Sequence, residues 1–410
     1  MSGLAVAFGD ETDPQQIKRM MRTMKHRGKD LVGIYQNQTA LCGQNYLRAD
    51  IGKTNGKEVP VFLEGKENLR ICYDGQIGNW AELAKQHGVP DGPFREERLL
   101  LKLYLTYGTH MLDLLDQAVF AFVISDGKKL LAARDLLGIK TLFYGKKAGT
   151  FYFSSELKSL TDILSTPREF PPGSYLTEAG NVTTYSRLST AYPEAPTASR
   201  PEELAEEIRN LVRQNLRRLV DFQLPTACLL SGGLDSSIIA YEAGVLAEEK
   251  GVSPLKTFSF GLTASEDLRN ARLVAEDLQT DYDELVADLD EILEVIPTVI
   301  YYLESFDPSL VRSAVANYLI SRYAKEKGYE ILLSGEGADE IFCGYSYLKH
   351  FPYQELYHQQ LKCLSFLHNN ASLRLDRMNI CHSVKVLAPL VSGKLISTAM
   401  QIPPEYKIKE

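Results

Sequence analysis

The segment 226–249 constrains this chain more than any other. An apolar run, TACLL at 226–230, is followed at once by Ser231, Gly232, Gly233, Leu234, Asp235, Ser236 and Ser237, and then by the helical pattern IIAYEAGVLAEE. A strand that turns through two glycines straight into a helix reads as part of a parallel sheet wound with helices, in which ligands bind beyond the carboxyl ends of the strands. The glycines let the backbone turn tightly and bring its N–H groups against an anion, and the helix N-terminus adds a favourable dipole. Ser231, Ser236 and Ser237 supply hydroxyl donors. Taken alone, a Gly-Ser turn that merely opens a helix would read the same way.

A second segment of the same kind lies about a hundred residues on: the run EILL at 330–333, then Ser334, Gly335, Glu336, Gly337, Ala338, Asp339 and Glu340. Acids at a phosphate site repel the ligand unless magnesium bridges them to it, which makes Asp235 and Asp339 a natural pair. The bland alternative for the second string is a solvated acidic turn. Between the two stands the apolar run TFSFGL at 257–262. Gly52-Lys53-Thr54 looks like the tail of a mononucleotide loop, but Leu47 occupies the place of its first glycine and no helix follows, so it is set aside.

The first half reads differently. From Leu4 to about Tyr185, short β-like runs are broken by Gly, Asn and Asp, with helical stretches expected at Pro14–Met24 and Glu96–Asp116, an α+β layered pattern. Residues 188–200, rich in Pro, Ala, Ser and Thr, read as a linker, and Ser199 and Pro201 as the start of the next helix, with Leu204, Ile208, Leu211 and Leu216 on its apolar face. A chain of 410 residues fits two domains, 1–187 and 201–410.

Net charge is −8 and no segment gathers an excess of Lys and Arg, which argues against a nucleic-acid partner. The six cysteines are widely spaced, without a C-x-x-C pair or a nearby His cluster, as expected for reduced thiols. No signal peptide or apolar run of membrane-spanning length is evident, so a cytoplasmic protein without a membrane partner is expected.

The two glycine turns, with FSFGL between them, resemble the synthetase domain of glutamine-dependent asparagine synthetases and their β-lactam-forming relatives. The resemblance extends to the first half through Met24-Lys25-His26-Arg27-Gly28, residues 133–140 (ARDLLGIK), Ser154-Ser155-Glu156-Leu157-Lys158 and Pro172-Gly173-Ser174-Tyr175. It implies an Ntn-hydrolase-like αββα sandwich followed by an ATP-pyrophosphatase domain of adenine nucleotide alpha hydrolase type. It also implies formation of an acyl-adenylate from ATP with release of pyrophosphate, and displacement of AMP by ammonia or an amine. By that resemblance Ser231, Gly232, Gly233, Asp235, Ser236 and Ser237 hold the pyrophosphate, Leu230, Phe260, Ser334 and Gly335 complete the nucleotide site, Asp235 and Asp339 hold magnesium, and Glu336 is the catalytic glutamate. Arg312, in the string Asp307 to Ser313, is either a clamp for a substrate carboxylate or a surface arginine on a helix.

The pattern also breaks. Where the family exposes an N-terminal cysteine nucleophile, this chain has Ser2, whose hydroxyl is far less acidic than a thiol. The family's arginine for the glutamine carboxylate falls at Tyr46 or Asn45, its Asn-Gly oxyanion pair at Asp74-Gly75, and its amine-binding aspartate at Glu96. An aspartate puts negative charge where an oxyanion would form, so the first domain is expected to have lost glutaminase activity and to serve as a structural or protein-binding unit. In the second half the chain reaches Glu410 before the family's lysine segment, R-x-K-E-x-F-S-D-G, and the stretch V-E-x-R-V-P-F-L-D is replaced by residues 384–392 (VKVLAPLVS).

The leading expectation is thus an ATP- and magnesium-dependent ligase joining a carboxylate, from aspartate or another small-molecule or peptide acid, to ammonia or an amine. A nucleotide-binding regulatory protein without turnover is the alternative, and a homodimer or a partner protein is compatible with either.

Overall fold

A computed structural model describes residues 2–37, 39–51, 60–63, 65–188 and 200–408. The chain separates into two compact units, Met1–Arg187 and Leu188–Glu410. Residues 52–54 and nearly all of the linker expected at 188–200 lie outside the described residues.

In the first unit two six-stranded sheets lie face to face. One is ordered 168–169, 143–147, 150–154, 3–8, 40–46, 31–36, and the other 182–184, 174–177, 130–134, 118–125, 66–77, 61–63. All strand pairs are antiparallel. The strand Gly3–Phe8 shows why both faces are apolar. Leu4 and Val6 point between the sheets with Cys72, Ala121, Val123 and Phe153, while Ala5 and Ala7 face outward against Ile17, Met20 and Met21 of the helix Pro14–Thr23. The second sheet is covered in turn by the helix Arg95–Tyr107 through Leu99, Leu100 and Leu103. These layers make the αββα sandwich implied by the resemblance.

The helix expected at 96–116 is shorter. It ends at Tyr107, where Gly108 takes φ +59° and the chain tightens into a 3-10 turn over Gly108–Leu114. The helix Trp80–His87 had no clear apolar period in the sequence.

The second unit carries a five-stranded parallel sheet ordered Asp281–Ala287, Lys256–Leu262, Thr226–Leu229, Ile331–Leu333, Lys385–Leu387. In chain order this is 3-2-1-4-5, so the winding reverses between the first strand and the fourth. A crevice opens at such a reversal, beyond the carboxyl ends of the two central strands. The helix Pro201–Leu219 has Arg200 as N-cap, with the Arg200 N–H donating to Glu203 Oε2 at 3.2 Å; Ser199, expected to start it, lies outside the described residues. The strands Asp281–Ala287 and Lys385–Leu387 are absent from the sequence reading because one is charged and the other has three residues.

Candidate functional site

The two glycine turns leave the two strands that flank the reversal, and they meet there. Gly232 has φ +79°, and a Cβ on it would stand 2.5 Å from the Ala271 nitrogen. A Cβ on Gly335 would stand 2.8 Å from the Asp235 carbonyl carbon and 2.9 Å from the Ser236 nitrogen, so the two turns touch backbone to backbone where no side chain fits. The serines shape the first turn. Ser231 and Ser236 share a hydrogen bond of 3.0 Å between their hydroxyls, the Ser231 N–H donates to Ser236 Oγ, and the Ser237 hydroxyl donates to the Gly233 carbonyl at 2.7 Å. In the second turn the Glu336 N–H donates to Ser334 Oγ at 3.2 Å.

A cavity of about 770 Å³ opens over these turns, a size that suits a nucleotide. Its lining includes Leu230, Ser231, Asp235, Ser236, Ser334, Gly335, Glu336 and Asp339 on the turns. Phe258 and Phe260 form one wall, and Ala316, Asn317 and Ile320, from the helix Pro308–Glu326, form another. Gly232, Gly233 and Ser237 belong to the loop but not to the lining. Arg312 lies outside it as well, exposed on the helix one turn before Ala316. Among the described residues that line it, none is Lys, Arg or His.

Carboxylates dominate the electrostatics. Burial raises the Asp235 pKa, and the neighbouring Asp339 and Glu336 raise it further. Burial also raises Asp339, with Arg374 pulling the other way. Arg374, which no sequence motif marks, donates from Nη2 to Glu336 Oε1 at 2.5 Å. Buried Glu340 accepts from the Tyr345 hydroxyl at 2.7 Å. Among the described residues no group of three or more His, Cys, Asp or Glu is placed to hold a metal by itself. Two carboxylates with phosphate oxygens and water completing the shell do fit magnesium, which coordinates nucleotides in that manner.

In the first unit, the residues aligned with a glutaminase site sit in a buried ionic network. The Ser2 N–H donates to Asp74 Oδ1 at 3.0 Å and its hydroxyl to Asp50 Oδ2 at 3.1 Å. Asp74 is balanced by Arg27 at 2.9 Å and Lys140 at 3.7 Å. Arg27 also reaches Glu156 at 3.3 Å, and Glu156 is further paired with His26 at 2.8 Å and Lys158 at 2.5 Å. These partners lie in strings quoted above as landmarks, but their pairing depends on distant strands and cannot be read locally. Gly75 packs so that a Cβ would lie 2.5 Å from the Val119 carbonyl oxygen.

Glu96 accepts from the Tyr73 hydroxyl at 2.5 Å and the Ile77 N–H at 3.3 Å. Tyr46 is fully buried, its hydroxyl near the Glu97 carboxyl but outside hydrogen-bond geometry, and burial raises its pKa. Burial likewise pushes Glu97 up to about 8, with Glu96 and Asp50 adding to the shift. All six cysteines are free thiols, and no helix among the described residues is long and apolar enough to cross a membrane.

The glutamine amidotransferase domain model matches residues 1–179, and the asparagine synthase model matches 207–362 and 349–410. Over its whole length the chain is 32% identical to asparagine synthetase [glutamine-hydrolyzing] 1 of Arabidopsis thaliana and 31% identical to asparagine synthetase B of Escherichia coli, covering 71% and 76% of those proteins. A probable asparagine synthetase of Schizosaccharomyces pombe is 31% identical over 95% of the chain and 73% of that protein. Fold, paired domains and site thus define an amidotransferase-type domain joined to an ATP-pyrophosphatase domain. The chain belongs to the asparagine synthetase family.

Proposed function

We propose that the second unit is an ATP-dependent, amide-forming ligase acting on aspartate or another carboxylic acid. The reading rests on one observation above all: two glycine turns, with Asp235, Glu336 and Asp339 on them, converge on a nucleotide-sized cavity at the reversal point of the sheet. In the first step a carboxylate oxygen attacks the α-phosphorus of ATP and pyrophosphate leaves. The amine nitrogen then attacks the acyl carbon, the bond to the AMP oxygen breaks, and the nitrogen's proton passes to Glu336. The helix Leu234–Glu249 starts at the first turn, and its N-terminus would favour the phosphates. Magnesium, held by Asp235 and Asp339, would offset phosphate charge. Phe260, half-buried in the cavity wall, would cover one side of the adenine.

We assign no glutamine hydrolysis to the first unit, so ammonia or an amine would enter from solution. Ser2 lacks an acidic thiol, Asp74 is anionic where an oxyanion needs a donor, and Tyr46 beside Glu97 offers no cation to an amino-acid carboxylate. Six unpaired thiols suit a reducing compartment such as the cytoplasm.

The test is pyrophosphate release from ATP and magnesium against a panel of carboxylates, each with ammonia or hydroxylamine as acceptor. Stimulation by one acid, with stoichiometric AMP and amide, supports the ligase and names its substrate. ATP binding without pyrophosphate release for any acid refutes it.

A further inference from the structure

We infer that Arg374 is a positioning residue for Glu336, fixing which carboxylate oxygen faces the cavity; the inference rests on the ligase reading above. Its guanidinium engages Glu336 Oε1 at 2.5 Å, yet Arg374 is not among the residues lining the cavity, so it holds the carboxylate from behind. Oε2 makes no hydrogen bond to any described residue, which leaves that oxygen for the proton of an attacking amine.

The guanidinium is itself firmly placed. Arg374 lies on the helix Ala371–Ile380, and one turn later Arg377 donates to Glu304 Oε2 at 2.8 Å in a buried pair. Leu373 and Met378 of the same helix pack into the cluster formed with the helices Leu289–Leu303 and Pro308–Glu326. The second of those supplies Ala316, Asn317 and Ile320 to the cavity wall. Arg374 therefore ties the carboxylate to the wall on which the substrate rests, so that base and acyl carbon keep their spacing.

The test compares Arg374→Ala, Glu336→Gln and the double variant in single-turnover amide formation, with magnesium-ATP affinity measured alongside as a check on the fold. Arg374→Ala should keep ATP affinity within about threefold while slowing amine transfer by roughly tenfold to a hundredfold, the usual consequence of misplacing a reacting group by an ångström. The double variant should be no more than about threefold slower than Glu336→Gln, because residues that act through one another are not additive. Arg374→Lys should recover only part of the rate, since a lysine is a point donor without the planar fork.

Multiplicative losses in the double variant, full recovery by lysine, or an ATP-affinity loss as large as the rate loss would overturn the inference. If Arg374→Ala does not fold, Arg374→Gln carries the same comparison. Absence of pyrophosphate release in the unmodified protein is a separate result, which refutes the ligase reading and takes this inference with it.

Discussion

The contact between the two turns can be probed one methyl group at a time. Alanine at 335 would put a Cβ 2.8 Å from the Asp235 carbonyl carbon, against a usual separation of about 3.5–4.0 Å between carbons. Its neighbours are backbone atoms, so the turns must part by several tenths of an ångström. Overpacking of this kind costs about 1–3 kcal/mol. Charged to ATP binding, that is roughly a 5- to 150-fold loss of affinity. Alanine at 232 meets the Ala271 nitrogen at 2.5 Å and adds the left-handed penalty of φ +79°, a further 1–2 kcal/mol or so. Alanine at 233 is the internal comparison: φ is −73° and the nearest atom, Ser231 Oγ, is 3.4 Å away, so its loss should be the smallest of the three. Titration calorimetry with magnesium-ATP, paired with thermal unfolding of the free protein, gives both quantities. Equal ATP affinity for all three variants, or a Gly233→Ala loss exceeding that of Gly335→Ala, would refute the assignment of the nucleotide site to this contact.

Three further outcomes are expected. Glu336→Gln should leave ATP binding nearly intact and slow ligation about a hundredfold or more, whereas Asp339→Asn should weaken magnesium-dependent ATP binding and recover at high magnesium; identical defects in both would contradict their separate roles. Ser2→Cys should not release glutamate from glutamine, because Asp74, Tyr46 and Glu96 remain, and turnover in that single variant would show that the pocket is intact. Glu97 should make the first unit lose stability as pH rises from its ordinary carboxyl value to about 8, since in that window the folded state holds a proton that the unfolded chain has released. Glu97→Gln should flatten the dependence, read as melting temperature between pH 5 and 9, and an unchanged slope would exclude Glu97 as its source.

The sequence makes the site legible where its parts are local. Strand, glycine turn and helix are adjacent in the chain, so each turn could be found, and a shared ligand inferred, without knowing that the strands 226–229 and 331–333 are neighbours. What remains hidden depends on tertiary pairing. Arg374 sits in the string LRLDR with nothing to separate it from Arg377, yet one reaches Glu336 on the second glycine turn and the other a buried glutamate. Arg312 shows the converse: of the two readings its string allowed, a carboxylate clamp or a surface arginine on a helix, the structure leaves it exposed and outside the cavity lining. Asp281–Ala287 carries too many charges to read as a strand, and its half-exposed pattern at the sheet edge explains why it tolerates them.

The Asp74–Glu156 network of the first unit and the carboxylates at the turns of the second dispose of charge differently, and the contrast bears on what the second unit would bind. In the first, Asp74 is answered by Arg27 and Lys140, and Glu156 by Arg27, His26 and Lys158. These two carboxylates have their counter-charges within the fold, whereas Glu97, buried near Glu96 and Asp50, is pushed up to about 8. The pairs around Asp74 and Glu156 thus carry their own counter-charges with nothing bound. In the second, Asp235, Asp267, Glu336 and Asp339 line one cavity with no cation among its described lining residues, and Arg374 reaches Glu336 from outside the lining. Burial and mutual repulsion raise the pKa of Asp235, a cost that folding alone gives no reason to keep. A cation arriving with an anionic ligand removes that cost at the moment of binding. Uncompensated carboxylates around one cavity are matched by a ligand that brings its own cation, in keeping with the magnesium-ATP site proposed above.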